Sequence, residues 1–166
     1  MILITYGTRP EYIKVKPLIN QMTKEQIPFK VLFTGQHINL TNHEADYVLE
    51  IKETGNNRLD NIISSCMNVP DFIYDNVEYV LVQGDTTSVV GMALSAMHRG
   101  IKIIHLEAGL RTFDTKNPYP EEYNRKVVSS IADIHLCPTE QNKTNLINEG
   151  VDESKIWVVG NTGLDN

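Results

Sequence analysis

Cysteine is scarce: Cys66 and Cys137 are the two in 166 residues, far apart and outside any CxxC pair. That scarcity excludes a disulfide-stapled scaffold. With no apolar N-terminal stretch carrying a basic flank, it sets the expectation of a reduced, cytoplasmic protein with two buried thiols. Positive charge is also short, with 15 Lys and Arg against 21 Asp and Glu and a net charge of −6. No basic run marks a nucleic-acid or anionic-membrane footprint, so neither partner is expected. No apolar run approaches the roughly 20 residues of a membrane span. The Gly-rich fingerprint GxGxxG is missing, which argues against a nicotinamide or flavin dinucleotide, and no cofactor is expected. His37, His105 and His135 are scattered without metal-ligand spacing, so a zinc site is not expected, and His105 reads as a hydrogen-bonded strand residue. There is no internal repeat and no low-complexity segment.

What remains is a regular alternation. Short apolar, β-branched runs at 1–6, 29–34, 77–83, 102–106, 134–137 and 156–159 read as strands. Helical spacing follows most of them. Thr8 is a candidate N-cap for a helix with Pro10 and Glu11 in its first turn, and further helices are predicted over 38–50, 59–68, the small and apolar stretch after Thr86, the stretch opening at 118–125, and 139–148. Strand–helix alternation of this kind predicts an α/β fold with a doubly wound parallel sheet, Rossmann-like, in one domain spanning 1–166.

Such a sheet binds ligands beyond the carboxyl ends of its strands, where the strand order reverses. The reversal is expected between the first strand and the one at Val80. Gly7-Thr8-Arg9 would then lie beside Gly84-Asp85-Thr86, with Glu107 one strand further on. Free N–H groups at the first helix start would make an anion site, and Arg9 adds charge beside it. Asp85 has two readings, a carboxylate of the cleft or a simple cap for the following helix. Glu107 closes an apolar strand, where a carboxylate must be solvated, paired or functional. Glu121 and Glu122 open a helix, where the dipole alone favours acids.

Six ordered motifs carry a resemblance: Gly7-Thr8-Arg9-Pro10-Glu11, Thr34-Gly35-Gln36-His37, Gln83-Gly84-Asp85-Thr86-Thr87-Ser88, His105-Leu106-Glu107-Ala108-Gly109-Leu110-Arg111-Thr112, Pro120-Glu121-Glu122-Tyr123-Asn124-Arg125 and Gly160-Asn161-Thr162. Together they resemble the non-hydrolysing UDP-N-acetylglucosamine 2-epimerases, end to end along the chain. The resemblance implies the N-terminal domain of a two-domain, glycosyltransferase-B architecture more than twice this length, with the C-terminal nucleotide-binding domain absent from this chain. It implies interconversion of UDP-N-acetylglucosamine and UDP-N-acetylmannosamine, as in polysaccharide biosynthesis, without a hydride carrier, by a protein that is a homodimer at full length. The isolated chain would be inactive. By residue match, Asp85, Glu107 and Glu121 correspond to the acid/base carboxylates, and Arg9, Lys14 and Arg125 to basic residues meeting the nucleotide sugar. Gln36 and His37 match a regulatory site, although Asn39 stands where bacterial members often carry a second Gln. Tyr119 replaces a common Phe or Trp. Other readings are a hydrolysing epimerase, a glycosyltransferase of the same architecture, or a non-catalytic nucleotide-sugar binding module ending at Asn166.

Overall fold

The computed structural model describes residues 1–40 and 44–165. Strand β1 (Ile2–Tyr6) pairs in parallel with β2 (Phe29–Phe33) on one side and with β4 (Tyr79–Gln83) on the other, so that Ile4 sits between Val31 and Leu81. A two-residue strand, β3 (Tyr47–Val48), extends the sheet past β2. On the far side β5 (Lys102–Leu106), β6 (Ile134–Cys137) and β7 (Ile156–Val158) follow in turn, giving the order β3-β2-β1-β4-β5-β6-β7. The reversal lies between β1 and β4, as the sequence predicts.

Alternation along each strand divides the core in two. Leu3, Leu32, Val80, Val82 and Ile103 face helices α2 (Arg58–Met67), α3 (Thr87–His98) and α4 (Glu121–Ile131). Ile4, Tyr6, Val31, Phe33, Leu81 and Leu106 face α1 (Arg9–Lys24). A smaller cluster of Ala108, Cys137, Leu146 and Ile156 seats α5 (Glu140–Asn148). Buried along most of its length, α3 packs so close to α2 that a Cβ on Gly91 would come within 2.6 Å of the Cys66 Cβ. Both cysteines are buried and unbridged. No helix among the described residues is long and apolar enough to cross a membrane.

One predicted element is corrected. The helix expected over 38–50 is not formed in its described part: Ile38 and Asn39 make a turn, and Tyr47–Val48 is strand, while 41–43 lie outside the described residues. The reason is the otherwise open edge of β2. Asp46 N–H donates to the Val31 carbonyl at 2.9 Å, its carboxylate accepts from the Val31 N–H at 2.8 Å, and Leu49 N–H donates to Phe33 O at 2.8 Å. Satisfying that backbone outweighs a weak helical pattern. Tyr47, Leu49 and Ile51 pack on the core at every second position, the strand period rather than the helical one.

His105 is a hydrogen-bonded strand residue. Its Nε2 meets the Gly84 carbonyl at 2.8 Å, whereas its buried Nδ1 finds no partner among the described residues. Its register neighbour is His135, equally buried. Burial, with smaller contributions from His135 and Arg111, depresses His105 from 6.5 to about 4. The unfolded chain therefore binds a proton that the folded one refuses between those values, and stability drains away as pH falls through that window, by about 3 kcal/mol at its lower end. Glu11, raised by burial, slopes the opposite way, so the measurement is a difference. Urea unfolding of the wild type and His105→Gln across this range should show the shallower acid loss in the variant. Equal slopes would discount the buried imidazole.

Candidate active site

The start of α1 is a closed structure. Thr8 caps the helix, accepting from the Glu11 N–H at 3.5 Å, and Glu11 answers by accepting from the Thr8 N–H at 2.7 Å and from Gly7 N–H. The Thr86 hydroxyl donates to the other Glu11 oxygen, and the Arg9 N–H goes to His37 Nδ1 at 3.2 Å. Glu11 is 2% exposed, and burial raises its carboxyl against the opposing pull of these donors. The expected anion site is thus already filled by the chain's own carboxylate. A helix start recruits whatever anion is nearest, and three residues into the helix a glutamate is always in reach.

Glu11 also ties β1 to the β4 end, where the second carboxylate lies. Asp85 accepts from Arg125 Nε at 2.9 Å, and its carbonyl accepts from Asn124 Nδ2 at 2.8 Å. It does not cap α3. Thr86 does, taking the Val89 N–H. Arg125 also reaches Glu122 at 3.0 Å. Glu122 is fully buried; burial works against its charge, yet the Thr112 N–H, Arg125 and the Phe113 N–H outweigh it and hold the carboxyl below the ordinary range. Its role is to pin the 112–113 loop to α4, whereas its neighbour Glu121 lines the cleft.

Glu107 follows β5 with φ of +67°, a backbone geometry that strands β2 and β4 reach through glycines, Gly35 and Gly84. A side chain held there costs energy unless its surroundings over-determine it. Both donors on its carboxylate converge on one oxygen: Lys14 Nζ at 2.5 Å and the Gln83 side-chain amide. Gln83 is 2% exposed.

Asp85, Glu107 and Glu121, from three different elements, share a cavity of about 390 Å³ with Lys14 and Arg125. Arg9 turns instead to a neighbouring cavity of about 780 Å³ with Arg58, and Gln36 and His37 line both. Glu11, Gln83 and Thr86 were not singled out by the sequence as individual site residues. A glutamine closing an otherwise apolar strand was the signal available for Gln83. Among the described residues no group of three or more His, Cys, Asp or Glu is placed to hold a metal ion.

With two carboxylates each facing a cation and a third beside them, the cleft holds the groups that general acid–base chemistry needs. The profile of the family described as UDP-N-acetylglucosamine 2-epimerase matches residues 20–166. A UDP-N-acetylglucosamine 2-epimerase of Campylobacter jejuni is 41% identical over 99% of this chain and 45% of its own length. The crystal structure of UDP-GlcNAc 2-epimerase from Neisseria meningitidis bound to UDP-GlcNAc superposes with a TM-score of 0.90, at 36% identity, over 99% of this chain and 47% of that one. A lipopolysaccharide outer core galactosyltransferase, 13% identical with a TM-score of 0.63, shares the fold. The chain spans about half the length of the curated relatives it matches.

Proposed function

The chain belongs to the UDP-N-acetylglucosamine 2-epimerase family, and from that premise we propose that it supplies the carboxylate-bearing half of an enzyme interconverting UDP-N-acetylglucosamine and UDP-N-acetylmannosamine. The observation that carries this reading is the convergence of Asp85, Glu107 and Glu121 on one cleft, two of them held by cations. The hydrogen on sugar C2 has no adjacent carbonyl, so a carboxylate alone would remove it too slowly. If the C1–O bond to UDP breaks with its electron pair leaving on UDP, positive character at C1 acidifies C2. A carboxylate then takes the C2 proton, a C1=C2 double bond forms, and the product arises when a second carboxylate protonates C2 from the opposite face as UDP re-adds at C1. Atoms balance with no redox partner.

Lys14 and Arg125 are committed to Glu107 and Asp85, so the diphosphate calls for a second, nucleotide-binding domain facing this one. Residues 1–166 would be the N-terminal Rossmann-like domain of that pair, and the full protein a cytoplasmic homodimer, in keeping with two buried free thiols. Gln36 and His37, with Arg9, would form a regulatory subsite in the adjoining cavity. The test is turnover in deuterated water followed by proton NMR. A protein carrying both domains should place deuterium at C2 of both epimers, and the 166-residue chain alone should not. Absence of exchange in the complete protein would reject the epimerase reading, and free N-acetylmannosamine with UDP would replace it by a hydrolysing one.

A further inference from the structure

After β7 the chain crosses back to α1, and it lands on Lys14. The Thr162 hydroxyl donates to the Lys14 carbonyl at 2.8 Å. Gly163 lies against the stem of the same residue: a Cβ built there would stand 3.5 Å from Lys14 Cγ and 3.9 Å from Cε. Asn161 sets this turn by accepting the Gly163 N–H at 3.0 Å. At the far end of the Lys14 side chain, Nζ holds Glu107 Oε2.

A lysine ammonium is a point charge on a flexible four-carbon stem, and it fixes a carboxylate only if the stem itself is packed. Its companion donor, Gln83, is already immobilised by burial. Glu107, for its part, sits on a backbone that must be held from several sides. We propose that Thr162 and Gly163 are positioning residues for the Glu107 carboxylate, acting through Lys14. This rests on the reading of Glu107 as an acid/base group of the cleft, but its structural content stands apart from substrate.

The test therefore uses the 166-residue chain, isotopically labelled, with the Glu107 Cδ and Lys14 Nζ resonances read directly. Thr162→Val keeps the shape and removes the hydroxyl. It should move both resonances by more than the scatter among the remaining Glu and Lys signals, while Thr162→Ser, which keeps the donor, should restore them. Gly163→Ala meets the Lys14 stem at ordinary contact distance, with only the Asn161 side-chain oxygen, 3.2 Å away, having to give by a few tenths of an ångström, and should leave them in place; Gly163→Val should displace the stem and shift them. Dispersed amide spectra serve as the fold check, and if Thr162→Val fails it, the Gly163 pair decides. Changes confined to amides 160–165 would overturn the proposal. Shifted resonances together with full turnover after loss of the Glu107 carboxylate would instead uphold the linkage and sink the catalytic reading.

Discussion

Glu107→Gln, in a protein carrying both domains, lowers turnover on the order of 10²–10⁴-fold, the usual loss when a positioned acid/base group is removed. The amide oxygen can still accept from Lys14 and Gln83, so the side chain keeps its place and loses only its capacity for a proton. Backbone conformation separates this chemical role from a structural one. At φ +67° any residue with a Cβ is strained. Glu107→Gly should therefore be as inactive as Glu107→Ala yet more stable by about 1 kcal/mol, since both lose the carboxylate and glycine alone relaxes the turn. A residue kept for packing would show the reverse order. Asp85→Asn should also lose activity, because the helix cap that could have explained Asp85 is made by Thr86. Steady-state rates with urea unfolding on the same proteins decide the matter, and an activity within a few-fold of the parent for Glu107→Gln would end its candidacy.

The pattern of these residues was partly open to sequence reading, and its limits have physical causes. Each buried strand declares itself by a β-branched run, and right-handed crossovers leave few orders, so the β1–β4 switch point and the grouping of Asp85 with Glu107 follow from the chain alone. The β3 edge does not, because its two residues are specified by the unpaired backbone of β2 and by Asp46. Helix starts mislead in a similar way. Thr8 and Glu11 spell a capping box, which locally takes the Gly7 and Thr8 N–H groups otherwise offered to a phosphate, but spacing does not show that β4 delivers Thr86 across the sheet to the other Glu11 oxygen. Arg9 illustrates the same limit: the motif assigns it to the substrate cleft, while the first turn of α1 aims it into the cavity next door. Spacing along a chain tells which residues meet; it does not tell which of their hydrogen-bonding groups are already spent.

Glu121 and Glu122 are indistinguishable as acids at a helix start, and stability should tell them apart. A carboxylate that merely complements the dipole contributes about 0.3–1 kcal/mol. Glu122→Ala is expected to cost about 3–5 kcal/mol, as when one partner of a buried ion pair is deleted. The deletion strips Arg125 of one of its two carboxylates and leaves the Thr112 and Phe113 N–H groups without their acceptor. Phe113 is itself at φ +63° with its ring largely exposed, so packing of its own side chain does little to keep that residue in place. Glu122→Gln retains an acceptor for the two N–H groups and should fall between. Acid dependence supplies the sign: burial opposes the Glu122 charge, but its partners win and hold its carboxyl below 4.5. Its contribution is present above that value and is lost as pH falls below it, so the alanine variant should lose less stability on acidification than the wild type. Glu121→Ala, by contrast, should barely move the urea midpoint while reducing turnover. If the two substitutions cost the same stability, Glu122 is a dipole acid like its neighbour, and the 112–113 loop is held by something other than this carboxylate.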